Sequence, residues 1–128
     1  MQVRDGMSSV VLTVGPSHSL SACARLMTER NVGAAVVVDP DGAGFGIVTE
    51  RDILRSVAAG EDPSAEPVSK HLTDDLICAA PDWSLEQAAE AMLGGGFRHL
   101  LVVNGPDLEG ILSMRDIVRC WSGDRVAS

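Results

Sequence analysis

The sequence contains an internal duplication. Residues 46–53 (GIVTERDI) return as residues 110–117 (GILSMRDI), and the segments before them align along their length at a separation of 65 residues, then 64 after a one-residue deletion. Duplicated units of this size normally pack together, because neither half alone can bury its apolar face. We therefore predict two equivalent clefts about a pseudo-twofold axis and expect the function to reside in them.

Each repeat is predicted to contain a short opening turn, a strand, a helix, two strands and a closing helix. Residues 10–14 are β-branched except for Leu12, and apolar residues then recur at helical spacing from residue 20 to residue 27. Residues 34–39 and 45–49 predict a hairpin around residues 40–42. The fold class is therefore predicted to be α+β, built from two tandem β-α-β-β-α repeats.

The second repeat follows the same order, and two features predict the limits of its first helix. Ser84 and Gln87 have the spacing of a capping box, and residues 94–96 are a glycine run that would end the helix. The predicted boundaries are residues 3–60 for the first repeat, 61–67 for a linker, 68–121 for the second repeat and 122–128 for a tail. Both closing helices carry an apolar stripe, predicted to be core or a subunit interface: Ile53, Leu54 and Val57; Ile117, Val118 and Trp121.

The composition argues against several classes of partner. A net charge of −8, with Lys70 as the single lysine, would repel a nucleic-acid backbone. The longest apolar run, residues 34–38, is far shorter than the roughly 20 residues that a membrane helix needs. Three widely spaced cysteines without a CxxC pair, and no signal peptide, favour reduced thiols in the cytoplasm.

The sequence also argues against an enzyme. It contains no GxxxxGK[ST] loop, and no cysteine or serine has an obvious base beside it. His18, His71 and His99 lack the spacing of metal ligands. We therefore predict no catalytic residue, no metal and no required cofactor.

The repeated motif has two interpretations. Thr49 with Asp52, and Ser113 with Asp116, are spaced as capping boxes that satisfy free N–H groups at a helix start. Capping leaves the repeated glycine, isoleucines and arginine unexplained. A helix N-terminus with a hydroxyl beside it also favours phosphate, and a carboxylate one turn later can accept hydrogen bonds from a ribose diol. Together these groups indicate a nucleotide.

These residues resemble the signature of the CBS (cystathionine-β-synthase) domain, a small regulatory module that binds adenine nucleotides. The chain is similar to a tandem pair of such domains from residue 3 to about residue 121. Residues 3–7 and 68–73 look like the V-x-x-x-M-T opening of that family, and residues 98–103 (RHLLVV) look like its R-H-L-P-V-V strand.

The resemblance implies a role for each matching residue. The two aspartates would bind ribose, Thr49 and Ser113 would lie near ribose and phosphate, and the motif isoleucines would lie against the base. The cleft of the second motif would comprise Ile111, Ser113, Arg115 and Asp116, with an adenine wall from Val10, Val32, Gly33 and Ala34. The cleft of the first motif would comprise Ile47, Thr49, Arg51 and Asp52, with a wall from Leu76 and residues 96–98, including Phe97 and Arg98. Arg98 and His99 would face the phosphates.

The two clefts are predicted to be unequal. The first copy has Gly33 and Ala34 where the second has Arg98 and His99, and Asp74 and Asp75 would repel phosphate near Asp52. The cleft of Asp116 is therefore the favoured site.

The leading hypothesis is a non-catalytic sensor that binds AMP, ADP or ATP in clefts between the repeats and acts in trans on a protein target. Family resemblance also implies a homodimer formed through the closing helices. The alternatives are a dimeric interaction scaffold with vestigial clefts and a binder of another adenosyl ligand such as S-adenosylmethionine.

Overall fold

The computed structural model describes residues 1–42, 44–74 and 76–127, with side chains as far as residue 123. Asp75, one of the two acidic residues expected to repel phosphate, and Ser128 lie outside the described residues. The helices are α1 (Val3–Gly6), α2 (Leu20–Arg30), α3 (Glu50–Ala58), α4 (Leu85–Gly95) and α5 (Met114–Ala127). The strands are β1 (Thr13–Val14), β2 (Ala34–Val38), β3 (Phe45–Thr49), β4 (Cys78–Ala79), β5 (His99–Asn104) and β6 (Asp107–Ser113).

The strands form two three-stranded sheets with the same topology. In the order β1-β2-β3, the first pair is parallel and the second antiparallel, and β4-β5-β6 repeats this arrangement. A parallel pair needs a crossover, which α2 and α4 provide. The predicted α+β class and the tandem β-α-β-β-α order are confirmed.

The first strand of the first repeat is shorter than the sequence predicted. Residues 10–14 were expected to be extended, but β1 comprises only Thr13 and Val14, which pair with Val36 and Val37. Ser8 instead pairs with Ile111, and Pro16, which follows β1, has no N–H to donate. The parallel pairing of β1 with β2 is therefore confined to a short stretch of the chain between Ser8 and Pro16.

The limits of the long helices follow from their caps. Ser84 Oγ accepts from the N–H of Gln87, and Gln87 Oε1 accepts from the N–H of Ser84, so the predicted capping box is present. The helix ends at Gly95, and Gly96 has the left-handed φ of 71° that favours glycine. Both predictions for α4 are confirmed.

The chain folds into two compact units, and their boundaries differ from those of the two sequence repeats. One unit, the first-repeat unit, comprises Val11–Asp75; the other, the second-repeat unit, comprises Met1–Val10 with Leu76–Ser128. Each unit therefore contains the opening segment that the sequence assigns to the other repeat.

In the second-repeat unit, the N-terminal segment is held at both ends. The N–H of Val3 donates to the carbonyl of Trp83 at 2.7 Å, and the Val3 side chain is fully buried. Farther along, Ser8 and Ile111 exchange two backbone hydrogen bonds of 2.9 and 3.0 Å. The segment thus extends the edge of β6.

In the first-repeat unit, residues 61–73 occupy the equivalent place. The N–H of Leu20 donates to the carbonyl of Glu66, and the N–H of Val68 to that of His18, both at 2.8 Å. Ile47 and Thr73 exchange two bonds of 2.9 Å. The predicted linker is therefore packed and hydrogen-bonded within this unit.

The two cores match almost position for position. That of the second-repeat unit consists of Val3, Ala79, Leu85, Ala88, Met92, Leu100, Val102, Leu112 and Ile117. That of the first-repeat unit consists of Leu12, Val14, Leu20, Cys23, Met27, Ala35, Val37, Val48 and Val68. Val3 and Val68, from the opening segments, occupy equivalent positions, so each core depends on a residue contributed from the other repeat.

The closing helices have both buried and exposed apolar residues. Ile117 is buried and Ile53 half-buried, whereas Leu54 and Val57 of α3 and Val118 and Trp121 of α5 are exposed. Helix α5 continues to Ala127, through residues that the sequence analysis placed in a tail.

Within the described ranges, no helix combines the length and apolar character required to cross a bilayer.

The buried thiol of Cys23 is expected to resist alkylation. Cys23 is fully buried, and burial raises the pKa of its thiol, so little reactive thiolate is accessible. Cys120 is half-buried. Mass spectrometry after brief iodoacetamide treatment should find Cys120 modified and Cys23 intact. Equal labelling of both in the folded protein would contradict this packing.

Candidate functional site

In the first-repeat unit, the motif closes a capping box between β3 and α3. Asp52 Oδ2 accepts from the N–H of Thr49 at 2.8 Å and from its hydroxyl at 3.0 Å. The N–H of Asp52 donates in return to Thr49 Oγ1 at 3.3 Å. The hydroxyl and the carboxylate are thus both engaged in starting the helix.

In the second-repeat unit, Ser113 and Asp116 form the same box between β6 and α5. The N–H of Ser113 donates to Asp116 Oδ2 at 2.8 Å, and the N–H of Asp116 to Ser113 Oγ at 3.0 Å. The other carboxylate oxygen, Oδ1, accepts from Arg119 Nη2 at 2.7 Å. Asp116 is 8% exposed. Its carboxylate forms an ion pair with the guanidinium of Arg119, whose side chain is mostly exposed to solvent.

Both carboxylates keep acceptor capacity after capping. An ionised carboxylate offers about four lone-pair sites. Asp116 uses one lone-pair site on each oxygen, for the hydrogen bonds from Ser113 and Arg119. Asp52 accepts both of its hydrogen bonds, from the N–H and the hydroxyl of Thr49, on Oδ2. Asp52 Oδ1 has no hydrogen-bond partner among the side chains that the structure describes, those of residues 1–42, 44–74 and 76–123. Each aspartate can therefore cap its helix and still accept two hydroxyl donors.

The hydroxyl groups differ between the two motifs. The Thr49 hydroxyl donates a hydrogen bond to Asp52 Oδ2, whereas the Ser113 hydroxyl donates none to any described residue. A hydroxyl carries one donor, so Ser113 can donate to an anionic oxygen without losing an internal bond.

The structure explains the repeated glycine, which capping does not. Ile47 and Ile111 are the positions at which Thr73 and Ser8 pair with the motif strands. A Cβ on Gly110 would lie 2.5 Å from the carbonyl oxygen of Ser8, and one on Gly46 would lie 2.9 Å from Leu72 Cδ1. Glycine is thus needed because an opening segment runs against the strand at this point.

The residues beside each helix start differ in charge. In the second-repeat unit, His99 pairs with Ser113 across the strands, and the carbonyl of Arg98 accepts from the N–H of Met114 at 2.8 Å. In the first-repeat unit, Ala34 pairs with Thr49, and the carbonyl of Gly33 takes the equivalent bond from Glu50 at 3.0 Å. An arginine and a histidine therefore adjoin the Ser113 helix start, whereas a glycine and an alanine adjoin the other.

The candidate residues fall into two groups in space. The first-repeat unit contains Val32, Gly33, Ala34, Ile47, Thr49, Arg51 and Asp52. The second-repeat unit contains Val10, Leu76, Phe97, Arg98, His99, Ile111, Ser113, Arg115 and Asp116. Val10, Val32, Arg51, Arg98 and Arg115 are exposed. In each unit, the motif threonine or serine and aspartate are in direct contact; the predicted adenine walls remain predictions.

Sequence reasoning missed Arg119, whose guanidinium contacts the motif carboxylate directly. A signal was present, because both copies continue the motif with an arginine three residues after the aspartate, Arg55 and Arg119. This spacing places the arginine on the same helix face as the aspartate.

Comparisons with known proteins agree with the motif and the fold. The family model for the CBS domain matches residues 2–59 and 68–123. An uncharacterized 17.7 kDa protein of Acidianus ambivalens is 39% identical over 85% of this chain, which spans 66% of that protein's length.

Two solved structures are similar to this chain over most of its length. A CBS-domain containing protein from Agrobacterium tumefaciens matches with a TM-score of 0.85 and 35% identity, over 92% of this chain and 91% of that one. A CBS domain protein from Pyrobaculum aerophilum, complexed with AMP, matches with a TM-score of 0.81 and 28% identity, over 91% and 89% of the two chains. The chain belongs to the CBS-domain family, as a tandem pair of CBS domains.

Proposed function

We propose that the chain is a non-catalytic regulatory module that binds an adenine nucleotide, AMP, ADP or ATP, through the ribose-binding carboxylates of its two motifs. The observation that carries this proposal is the spare acceptor capacity of Asp116 and Asp52 at the start of a helix. A ribose diol would donate to the carboxylate, and the helix N-terminus would attract the phosphate. The AMP complex of the Pyrobaculum aerophilum protein supports the adenosyl class of ligand.

The motif of Asp116 is proposed to be the tighter site. Ser113 keeps a free donor, and Arg98 and His99 adjoin the same helix start, so an anionic phosphate would find a more favourable potential there.

The assignment of Val10, Val32–Ala34, Leu76 and Phe97 to the adenine walls stays a prediction from the family resemblance. The regulatory role in trans and the cytoplasmic location belong to the same proposal, the latter supported by three free cysteines.

One observation favours a second candidate, an interaction scaffold without a ligand. Both aspartates are engaged in capping boxes, and both motif glycines accommodate an opening segment, so most of the motif has a purely structural explanation. In that case the exposed apolar residues of α3 and α5 would bind a protein, and the carboxylates would have no ligand.

Thermal unfolding with a panel of ligands distinguishes the two candidates. AMP, ADP, ATP and S-adenosylmethionine are added at millimolar concentration, with ribose 5-phosphate as the control that lacks the base. A ligand at 100 times its Kd stabilises the folded state by about 2.7 kcal/mol, so one adenosyl compound should clearly raise Tm. No rise with any of the four would contradict nucleotide binding and favour the scaffold.

We expect the protein to self-associate through the apolar faces of α3 and α5. Leu54 is 67% exposed on α3, so a charge there should disrupt such a contact without entering either core. Leu54→Glu should weaken the dimer by roughly 100-fold, since it places an unpaired charge in an apolar interface. Leu93→Glu on α4, where the leucine is 74% exposed, is the matched control. Sedimentation equilibrium checks both, and a wild type that remains monomeric would rule out this interface.

A further inference from the structure

Three possible metal ligands meet in the first-repeat unit, and none of them belongs to its Thr49–Asp52 motif. A ligand atom from each of Glu61, Glu66 and His71 lies within 4.8 Å of the other two. Two of them lie near the two ends of the packed linker, residues 61–67, and the third follows the 3-10 turn Val68–Lys70. The spacing of the histidines predicted no metal, because these donors converge only in the fold.

The distances fit ligands of one ion. His71 Nε2 lies 3.3 Å from Glu66 Oε1. Two ligands at about 2.1 Å from a tetrahedral zinc ion are separated by roughly 3.4 Å, so this pair already has the required spacing. Glu61 is exposed, so its carboxylate can close the remaining distance. An ion can also enter from this side.

The backbone that carries the donors is fixed. The N–H of Glu61 donates to the carbonyl of Ser56 at 3.1 Å, and the N–H of Glu66 to that of Asp62 at 3.1 Å. The N–H of His71 donates to the carbonyl of Val68 at 2.9 Å. Ser56, which is buried, also directs its hydroxyl to Glu61 Oε1 at 3.0 Å, the kind of outer contact that orients a metal ligand.

The electrostatics of the cluster favour a cation. Two carboxylates in contact repel each other when both are ionised, unless a positive charge lies between them. The imidazole supplies a nitrogen ligand, which sets this cluster apart from a group of surface acids. Glu66 and His71 have side chains only 18% and 16% exposed.

We propose that Glu61, Glu66 and His71 form a binding site for a divalent first-row transition ion such as Zn²⁺, with water completing the coordination. One imidazole and two carboxylates, without a thiolate, suit zinc better than the hard ions Mg²⁺ and Ca²⁺. A bound ion would connect the end of α3 to the segment that carries Val68 into the core of this unit. The site is independent of the nucleotide proposal.

Competition with a chromophoric chelator tests the site in the full chain freed of metal. We expect one Zn²⁺ per wild-type chain, and at least tenfold weaker binding in Glu66→Gln and in His71→Asn. Asp62→Asn and His18→Asn are matched controls that change a neighbouring carboxylate and a second histidine, and both should bind within about threefold of wild type.

Two further measurements make the outcome decisive. Glu61→Gln changes an exposed ligand and should also weaken binding, which covers the case in which the other variants fail to fold. The Co²⁺ form should show no thiolate charge-transfer band, since the proposed ligands are nitrogen and oxygen. The proposal is overturned by a wild type that binds no Zn²⁺ at one-to-one stoichiometry, by loss of binding equal in ligand and control variants, or by a thiolate band.

Discussion

Gly110→Ala is expected to destabilise the protein by about 3 kcal/mol, near the upper end for an overpacked buried site. The added methyl carbon would lie 2.5 Å from the carbonyl oxygen of Ser8 and 3.0 Å from Met7 Sδ. The carbonyl belongs to the backbone and accepts from the N–H of Ile111, so it cannot rotate away. Relief requires the N-terminal segment to leave β6, with loss of the Ser8–Ile111 pair.

Two other glycines provide graded controls for this substitution. Gly46→Ala meets the flexible end of Leu72, so we expect a loss of about 1 kcal/mol. Gly94 lies within α4 with open space around its Cβ position, so Gly94→Ala should stabilise the protein by about 0.5 kcal/mol. Urea unfolding measures all three. Equal stability of the Gly110 and Gly94 variants would contradict the packing of the N-terminal segment against β6.

Asp116→Asn is expected to weaken AMP binding by about 2 kcal/mol, or roughly 30-fold in Kd, while α5 keeps its cap. The amide oxygen can still accept from the N–H of Ser113. The amide nitrogen cannot accept from a ribose hydroxyl, and the negative charge that strengthens such bonds is lost. The substitution thus separates ligand binding from helix capping, which an alanine would remove together.

Asp52→Asn makes the same change in the other motif. Its carboxylate also has acceptor capacity, but Gly33 and Ala34 lie beside the Thr49 helix start where the other motif has Arg98 and His99, so the effect on the tightest site should be less than about threefold. Isothermal titration calorimetry measures both variants. Full affinity in Asp116→Asn together with loss in Asp52→Asn would reverse the assignment of the tighter site.

Local features of this fold could be predicted from the sequence because they depend on residues close together in the chain. Ser84 and Gln87 form their capping box within one turn, and Gly96 needs only its own φ to end α4. The hairpins follow from apolar runs on either side of turn residues. For the same reason, both Thr/Ser–Asp pairs could be assigned to helix starts before the structure was known.

The partners of the opening segments could not be predicted. Val3 and Val68 are the same residue in equivalent contexts, and both cores offer the same apolar position, so the repeat pattern fits either pairing. In the structure the choice appears in backbone hydrogen bonds between residues far apart in the sequence, such as the one from the N–H of Val68 to the carbonyl of His18. The cluster of Glu61, Glu66 and His71 was missed for a different reason: its members are close together in the chain, but their spacing matches neither a helix nor a strand.

The direct test of the central claim, that a motif carboxylate binds ribose, is the calorimetric titration of AMP and 2′-deoxy-AMP into the wild type and Asp116→Asn. The missing hydroxyl should cost roughly tenfold in Kd for the wild type, because a charged acceptor loses its donor, and less than about threefold for the variant. An absence of AMP binding to the wild type, or the same deoxy penalty in both proteins, would contradict the claim.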